Sequence, residues 1–181
     1  MAGRPGKVRL EPARRGRRAR TVVTMLVTMV VETPKGSRNK YETDPETGEL
    51  FLDRMLFTAT RYPADYGFIP DTLAEDGDPL DALALVTEPT FPGCRIRIRP
   101  IGVFLMEDQG QPDHKILGVP DGDPLWRSAA DLENVPEHLL RELEHFFAVY
   151  KELEDKKTAA LGWRPAAEAV ETIRQAWDRV R

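Results

Sequence analysis

Apolar residues follow two different periods along this chain. Through the first two thirds they come in short runs. Val27 to Glu32 is rich in β-branched residues and predicts a first strand. Lys40-Tyr41-Glu42 and Leu50-Phe51-Leu52 flank the turn-forming run Asp44-Pro45-Glu46-Thr47-Gly48, which predicts a hairpin. Ala82 to Thr87 predicts another strand, and so does Arg95 to Phe104, where Arg95, Arg97 and Arg99 alternate with Ile96 and Ile98. His114 to Val119 is a further short strand candidate. From about Pro136 the period lengthens. Leu139, Leu140, Leu143, Phe146, Phe147, Tyr150 and Leu153 recur at helical spacing. After Gly162 a second amphipathic helix is predicted from Pro165, with Ala169, Val170, Ile173, Ala176 and Trp177 on one face. Strands first and helices last predict an α+β domain, and the strand spacing predicts a small antiparallel barrel.

Charge changes the picture at the N-terminus. Residues 1–20 hold eight Lys/Arg against the single acid Glu11, although the whole chain of 181 residues carries a net charge of −4. Residues 1–24 therefore read as a basic leader without apolar periodicity, and residues 25–181 as one acidic domain. An acidic body is a poor partner for nucleic acid, whose phosphates need basic groups, and a good concentrator of divalent cations. Cys94 is the only cysteine, which excludes an intrachain disulfide and fits a reducing compartment. No apolar run approaches the roughly 18 residues of a membrane span. The expected setting is the cytoplasm.

The densest chemistry lies in Asp76-Gly77-Asp78-Pro79-Leu80-Asp81, three carboxylates at a Gly/Pro turn. Crowded carboxylates repel, and a hard divalent cation with oxygen ligands relieves the repulsion. An acidic surface turn is the competing reading. Asp108 and Asp113, beside Glu107 and Lys115, read as a second cluster or as a solvated hairpin tip. Lys40 and Glu42, two apart, share a strand face. Arg54 can fork onto a phosphate. Tyr62 and Tyr66 flank Pro63, and Tyr150 lies on the apolar face of its helix with Lys151 next to it; taken alone, the tyrosines read as packed aromatics and Lys151 as a solvated helix lysine.

Together these residues resemble the family I soluble inorganic pyrophosphatases. The resemblance rests on Asp76–Asp81, which matches the pattern Asp-x-Asp-Pro-x-Asp. It extends through Val31-Glu32-Thr33-Pro34, Asn39-Lys40-Tyr41-Glu42, Leu52-Asp53-Arg54, Tyr62-Pro63-x-x-Tyr66-Gly67-Phe68 and His145-Phe146-Phe147 before Tyr150-Lys151, all in order. The character is bacterial, and the Pro34–Glu42 run looks actinobacterial. The chain departs from the pattern in its basic leader, in Val149 at a position often His, and in Ala159-Ala160 where a more polar strand-like segment is usual.

The resemblance implies a five-stranded, OB-like β-barrel with the C-terminal helices packed on it, and a homohexamer. It implies several Mg²⁺ ions per active site, held by Asp76, Asp81, Asp108 and Asp113 with Glu32 in support. Lys40, Arg54, Tyr66, Lys115, Tyr150 and Lys151 are implied to hold the phosphates of pyrophosphate, with Glu42 and Tyr62 lining the same cavity. Asp78 is the favoured general base and Asp113 the alternative. The expected reaction is hydrolysis of pyrophosphate to two orthophosphates, by hydroxide generated between bound cations. The competing classes are an OB-type nucleic-acid module gripping through the basic tail, and a non-catalytic Ca²⁺ or phosphate binder on the same fold. The acidic body opposes the first, and the full set of charged residues opposes the second.

Overall fold

The computed structural model describes Val8–Arg9 and residues 24–181. The expected leader over residues 1–24 falls outside the described residues, apart from β1 (Val8–Arg9) and the first residue of β2 (Thr24–Met25), which pair antiparallel. Strand β3 (Val27–Thr33) runs where the β-branched stretch predicts it. The hairpin of β4 (Asn39–Thr43) and β5 (Leu50–Met55) forms its own two-stranded sheet. Its turn is built as its residues dictate. The Asp44 carboxylate accepts from the backbone N–H groups of Glu46 and Thr47, and Gly48 takes φ 73°.

The main sheet closes on itself. β6 (Asp65–Phe68) pairs with β3 and with β7 (Asp81–Ala84); β7 pairs with β10 (Lys115–Pro120); β10 pairs with β8 (Arg95–Asp108); and β8 returns to β3. These five strands form the expected barrel ring. One expectation is corrected, because β7 and β10 run parallel while the other four pairings of the ring are antiparallel. The reason is topological: a closed ring with an odd number of strands cannot alternate direction all the way round.

Other boundaries shift for local reasons. The strand expected over Ala82 to Thr87 begins at Asp81 and ends at Ala84. β8 runs on to Asp108, turns through Gln109 and Gly110, both at positive φ, and pairs back with β9 (Gln111–Pro112). β11 (Thr158–Pro165) extends the sheet from β8. It was not predicted, since Ala159, Ala160 and Gly162 carry little β signal. α1 (Glu137–Val149) stops short of Leu153, which is 64% exposed, and α2 (Ala166–Asp178) buries Ala169, Val170, Ile173 and Ala176 as the period requires.

Strand alternation sorts the apolar side chains into two cores. Leu83, Phe104 and Leu117 join Tyr62, Tyr66 and the α1 residues Leu143, Phe146 and Phe147. Their chain neighbours Ala82, Val103 and Ile116 point the other way, with Met29, Val31 and the buried face of α2. Both helices therefore clamp the barrel through alternate residues of the same strands.

Gly67 sets how closely β3 and β6 approach. A Cβ there would fall 1.9 Å from the Val30 carbonyl oxygen and 2.9 Å from the Val31 Cα. The obstacle is backbone, so no rotamer change relieves it. Gly67→Ala is expected to cost about 3 kcal/mol, at the upper end of overpacking penalties. Urea denaturation checks this, and an unchanged midpoint would show that the two strands can part freely.

Candidate active site

The parallel β7–β10 register places Lys115 opposite Asp81. The Lys115 side chain is 1% exposed, and its Nζ lies 2.6 Å from Asp81 Oδ2 and 2.6 Å from Asp113 Oδ1. Tyr66, arriving on β6, donates its hydroxyl to the same Asp81 oxygen at 2.6 Å. The rings of Tyr66 and Phe147 lie 5.5 and 5.3 Å from the ammonium. A buried cation is thus held by two carboxylates over aromatic faces.

Two β-bulges aim further groups. In β3, Val31 pairs with Gly67 and Thr33 with Tyr66, so Glu32 is the extra residue. Glu32 Oε1 accepts from the Thr43 backbone N–H at 2.8 Å, tying the barrel to the β4–β5 hairpin. In that hairpin Lys40 pairs with Arg54 and Tyr41 with Leu52, leaving Asp53 as the extra residue. Asp53 Oδ2 contacts Arg54 Nη1 and lies 3.4 Å from Lys40 Nζ, which also contacts Glu42. The end of α1 supplies the third side. Lys151 Nζ reaches Asp108 Oδ2 at 2.5 Å and lies 5.2 Å from the Tyr150 ring centre.

The predicted residues are not all in contact. Asp81, Asp113, Lys115 and Tyr66 form one network, Asp108 and Lys151 a second, and Lys40, Glu42 and Arg54 a third through Asp53. Asp76 and Asp78 are exposed on the turn before β7, where the Asp76 carboxylate accepts from the Asp78 backbone N–H at 3.1 Å. Tyr62 is buried against Tyr66 and Phe146, as its packing interpretation requires. Sequence inspection missed Glu154, whose side chain is 4% exposed and lies 3.0 Å from Arg54 Nε. It also missed Asp65, fully buried and accepting from the Lys35 and Thr90 backbone N–H groups and the Thr90 hydroxyl. An acid in a polar run looks solvated until its partner, 100 residues away for Glu154, is known.

Burial sets the proton affinities. It raises Asp81 above its ordinary value, with Lys115 partly offsetting it, and it raises Asp76, although that residue is exposed on its turn, by more than the hydrogen bond from the Asp78 N–H lowers it. At Asp113 burial acts in the same sense, but Lys115 outweighs it and holds the acid below its ordinary value. Burial also keeps Tyr62, Tyr66 and Tyr150 protonated. Glu32 is pushed up to about 7, mainly by burial and against its hydrogen bonds from Thr43.

The donor set fits a hard divalent cation, because the acids around the site offer only carboxylate oxygen. Asp108 Oδ1 is buried with no hydrogen-bond partner among the described residues, although its sister oxygen is engaged. Among the described residues no three acidic, imidazole or thiol groups converge as the side chains stand. Lys115 lies between Asp81 and Asp113 and engages one oxygen of each, and Lys151 engages one oxygen of Asp108.

Comparison with known proteins bears on the family and the fold. A family profile described as inorganic pyrophosphatase matches residues 29–181. An inorganic pyrophosphatase of Methanosarcina acetivorans is 54% identical over 151 residues, 83% of this chain and 90% of its own length. One from Streptomyces coelicolor is 51% identical over 154 residues, 84% of this chain and 94% of its own. The crystal structure of the inorganic pyrophosphatase from Thermus thermophilus superposes with a TM-score of 0.83 at 46% identity, covering 86% of this chain and 91% of that one.

The Glu32 shift has a consequence for stability. Its folded value of about 7 lies above the ordinary 4.5, so the folded state holds a proton that the unfolded state has released. Stability from this group is complete below 4.5 and is lost as pH rises to about 7. Glu32→Gln keeps an oxygen for the Thr43 N–H without the charge. In EDTA it is expected to exceed wild type at pH 8 by on the order of 2–3 kcal/mol, the gap narrowing towards pH 5. Thermal unfolding across this range checks it; a gap independent of pH would remove the burial penalty.

Proposed function

The chain belongs to the inorganic pyrophosphatase family, and from that premise we propose that it hydrolyses pyrophosphate to two orthophosphates with Mg²⁺ as cofactor. The observation that carries the reading is Lys115, buried between Asp81 and Asp113 with Tyr66 on the same carboxylate. Such a cluster contains both charge types needed to hold a metal–polyanion complex.

In this reading Asp76, Asp81, Asp108 and Asp113 hold the ions, with Glu32 in support. Bound Mg²⁺ supplies positive charge against the phosphate oxygens and lowers the pKa of water beside it. The chain's own cations do the rest of the electrostatic work. Lys40 and Arg54 would grip the substrate from the hairpin, and Lys115 and Lys151 would offer their ammonium groups to its phosphates. Tyr66 and Tyr150, kept protonated by burial, donate hydroxyl hydrogen bonds to the departing phosphate. Glu42 and Tyr62 line the cavity.

Asp78 is the proposed base. Its rival Asp113 is committed to Lys115 and held in its weakly basic form by that ammonium. The Asp78 side chain is exposed on the turn beside Asp76. Asp78 therefore takes the proton of the attacking water as the bridging P–O bond breaks.

Several broader assignments belong to the same proposal. Residues 25–181 act as the catalytic domain, and residues 1–24 as a leader dispensable for turnover. Leu50, Phe51, Leu52 and Met55 are 41–61% exposed on β5, which supports burial between copies in a homohexamer. No helix among the described residues is long and apolar enough to cross a membrane. The single cysteine supports a reducing compartment, and the cytoplasm is the proposed location.

Phosphate release from pyrophosphate tests the activity directly. Mg²⁺ is expected to activate, EDTA to abolish turnover, and Ca²⁺ to bind but support far lower rates because it tolerates looser geometry. Equal rates in EDTA would reject the metal requirement, and no release under any condition would reduce the protein to a binder. Asp78→Asn is expected to lower turnover by about 10²–10⁴-fold with the fold retained. Turnover within about twofold of wild type would transfer the base role to Asp113.

A further inference from the structure

Arg54 presents three guanidinium nitrogens to three different environments. Nε lies 3.0 Å from Glu154 Oε1, Nη1 contacts Asp53, and Nη2 is buried without a hydrogen-bond partner among the described residues. The two acids differ. Asp53 is 26% exposed and also lies 3.4 Å from Lys40, whereas the Glu154 side chain is 4% exposed. A solvated carboxylate is readily displaced by an incoming phosphate; a buried one facing a buried guanidinium is not.

We infer that Glu154 is a positioning residue, a fixed latch that holds Arg54 through Nε so that its two Nη groups face the substrate phosphate. The local chain supports a fixed latch. Glu154 sits in a single 3-10 turn, Glu152–Glu154, begun by Lys151, with the Glu154 N–H bonded to the Lys151 carbonyl at 2.9 Å. Asp155 closes the turn in the left-handed region at φ 56°. One short turn thus carries Lys151 towards Asp108 and Glu154 towards Arg54, fixing the hairpin cation relative to the end of α1. Lys156 Nζ lies 3.8 Å from the other Glu154 oxygen. A guanidinium held only by Asp53 would lose its anchor when phosphate displaced that acid.

The inference rests on the phosphate role proposed for Arg54, and a double-mutant cycle on the full chain separates the two. Glu154→Ala is expected to lower kcat/KM for magnesium pyrophosphate by about 10–100-fold, as for a displaced binding group. Glu154→Gln, which keeps an oxygen acceptor for Nε, is expected to restore most of the loss. In an Arg54→Ala background, Glu154→Ala is expected to change kcat/KM by less than about twofold, because a residue acting through another has nothing left to position. Losses that multiply in that background, or an unchanged kcat/KM in Glu154→Ala, would overturn the latch while leaving Arg54 its role. An unchanged kcat/KM in Arg54→Ala alone would overturn the role of Arg54 and the latch with it. If Glu154→Ala fails to fold, Glu154→Asp, whose carboxylate is one methylene too short to reach Nε, takes its place in the same comparison.

Discussion

A ring of five strands must contain at least one parallel pair, and the rest of this site depends on where that pair falls. It falls between β7 and β10, and it sets Lys115 beside Asp81 at the first positions of both strands. Had the pair lain elsewhere in the ring, the same residues would sit at opposite ends of antiparallel neighbours. Because the two strands start together, the turn before β7 and the β8–β9 hairpin before β10 converge at one end of the barrel. The acids they carry are Asp76 and Asp78 on one side, Asp108 and Asp113 on the other. Tyr66 joins because β6 runs antiparallel to β7, so its hydroxyl reaches the same carboxylate.

Crowding like charges at one end of a barrel is costly, and the fold meets the cost with internal cations. Lys115 is shared between Asp81 and Asp113, Lys151 faces Asp108, and Asp53 bridges Arg54 and Lys40. Each pairing sets an acid against a cation and so lowers the repulsion between neighbouring carboxylates. Glu32 stands apart, with no cation among the described residues at hydrogen-bond distance, and its burial raises its proton affinity.

Rigid backbone keeps the arrangement in place. Gly67 allows β6 to approach β3 more closely than any side chain would permit, and the bulge at Glu32 lies beside that contact. The two helices grip alternate residues of the same strands from two cores. The β4–β5 hairpin is a separate sheet, and Glu32, Thr33 and Glu154 tie it to the body through single hydrogen bonds.

Period and turn chemistry were sufficient to read β3, the β4–β5 hairpin, β8, β10 and both helices from the sequence, because each carries its own local pattern. The ordered motifs were sufficient to identify the family. β6 was hidden in a short run with a central glycine, and β11 in Ala-Ala and Gly. Neither has enough side chain to declare a strand, and both form because a neighbouring strand offers them hydrogen bonds. The parallel direction of β10 was illegible for a different reason: it follows from ring closure, a property of the whole chain that no window contains. Glu154 and Asp65 looked like surface acids, since a carboxylate reveals burial only through its partners. Residue type and spacing determined which groups this protein brings to its chemistry. Tertiary structure alone decided which carboxylate faces which cation, because those pairings join residues as far apart as Arg54 and Glu154, 100 positions, and depend on strand direction and register.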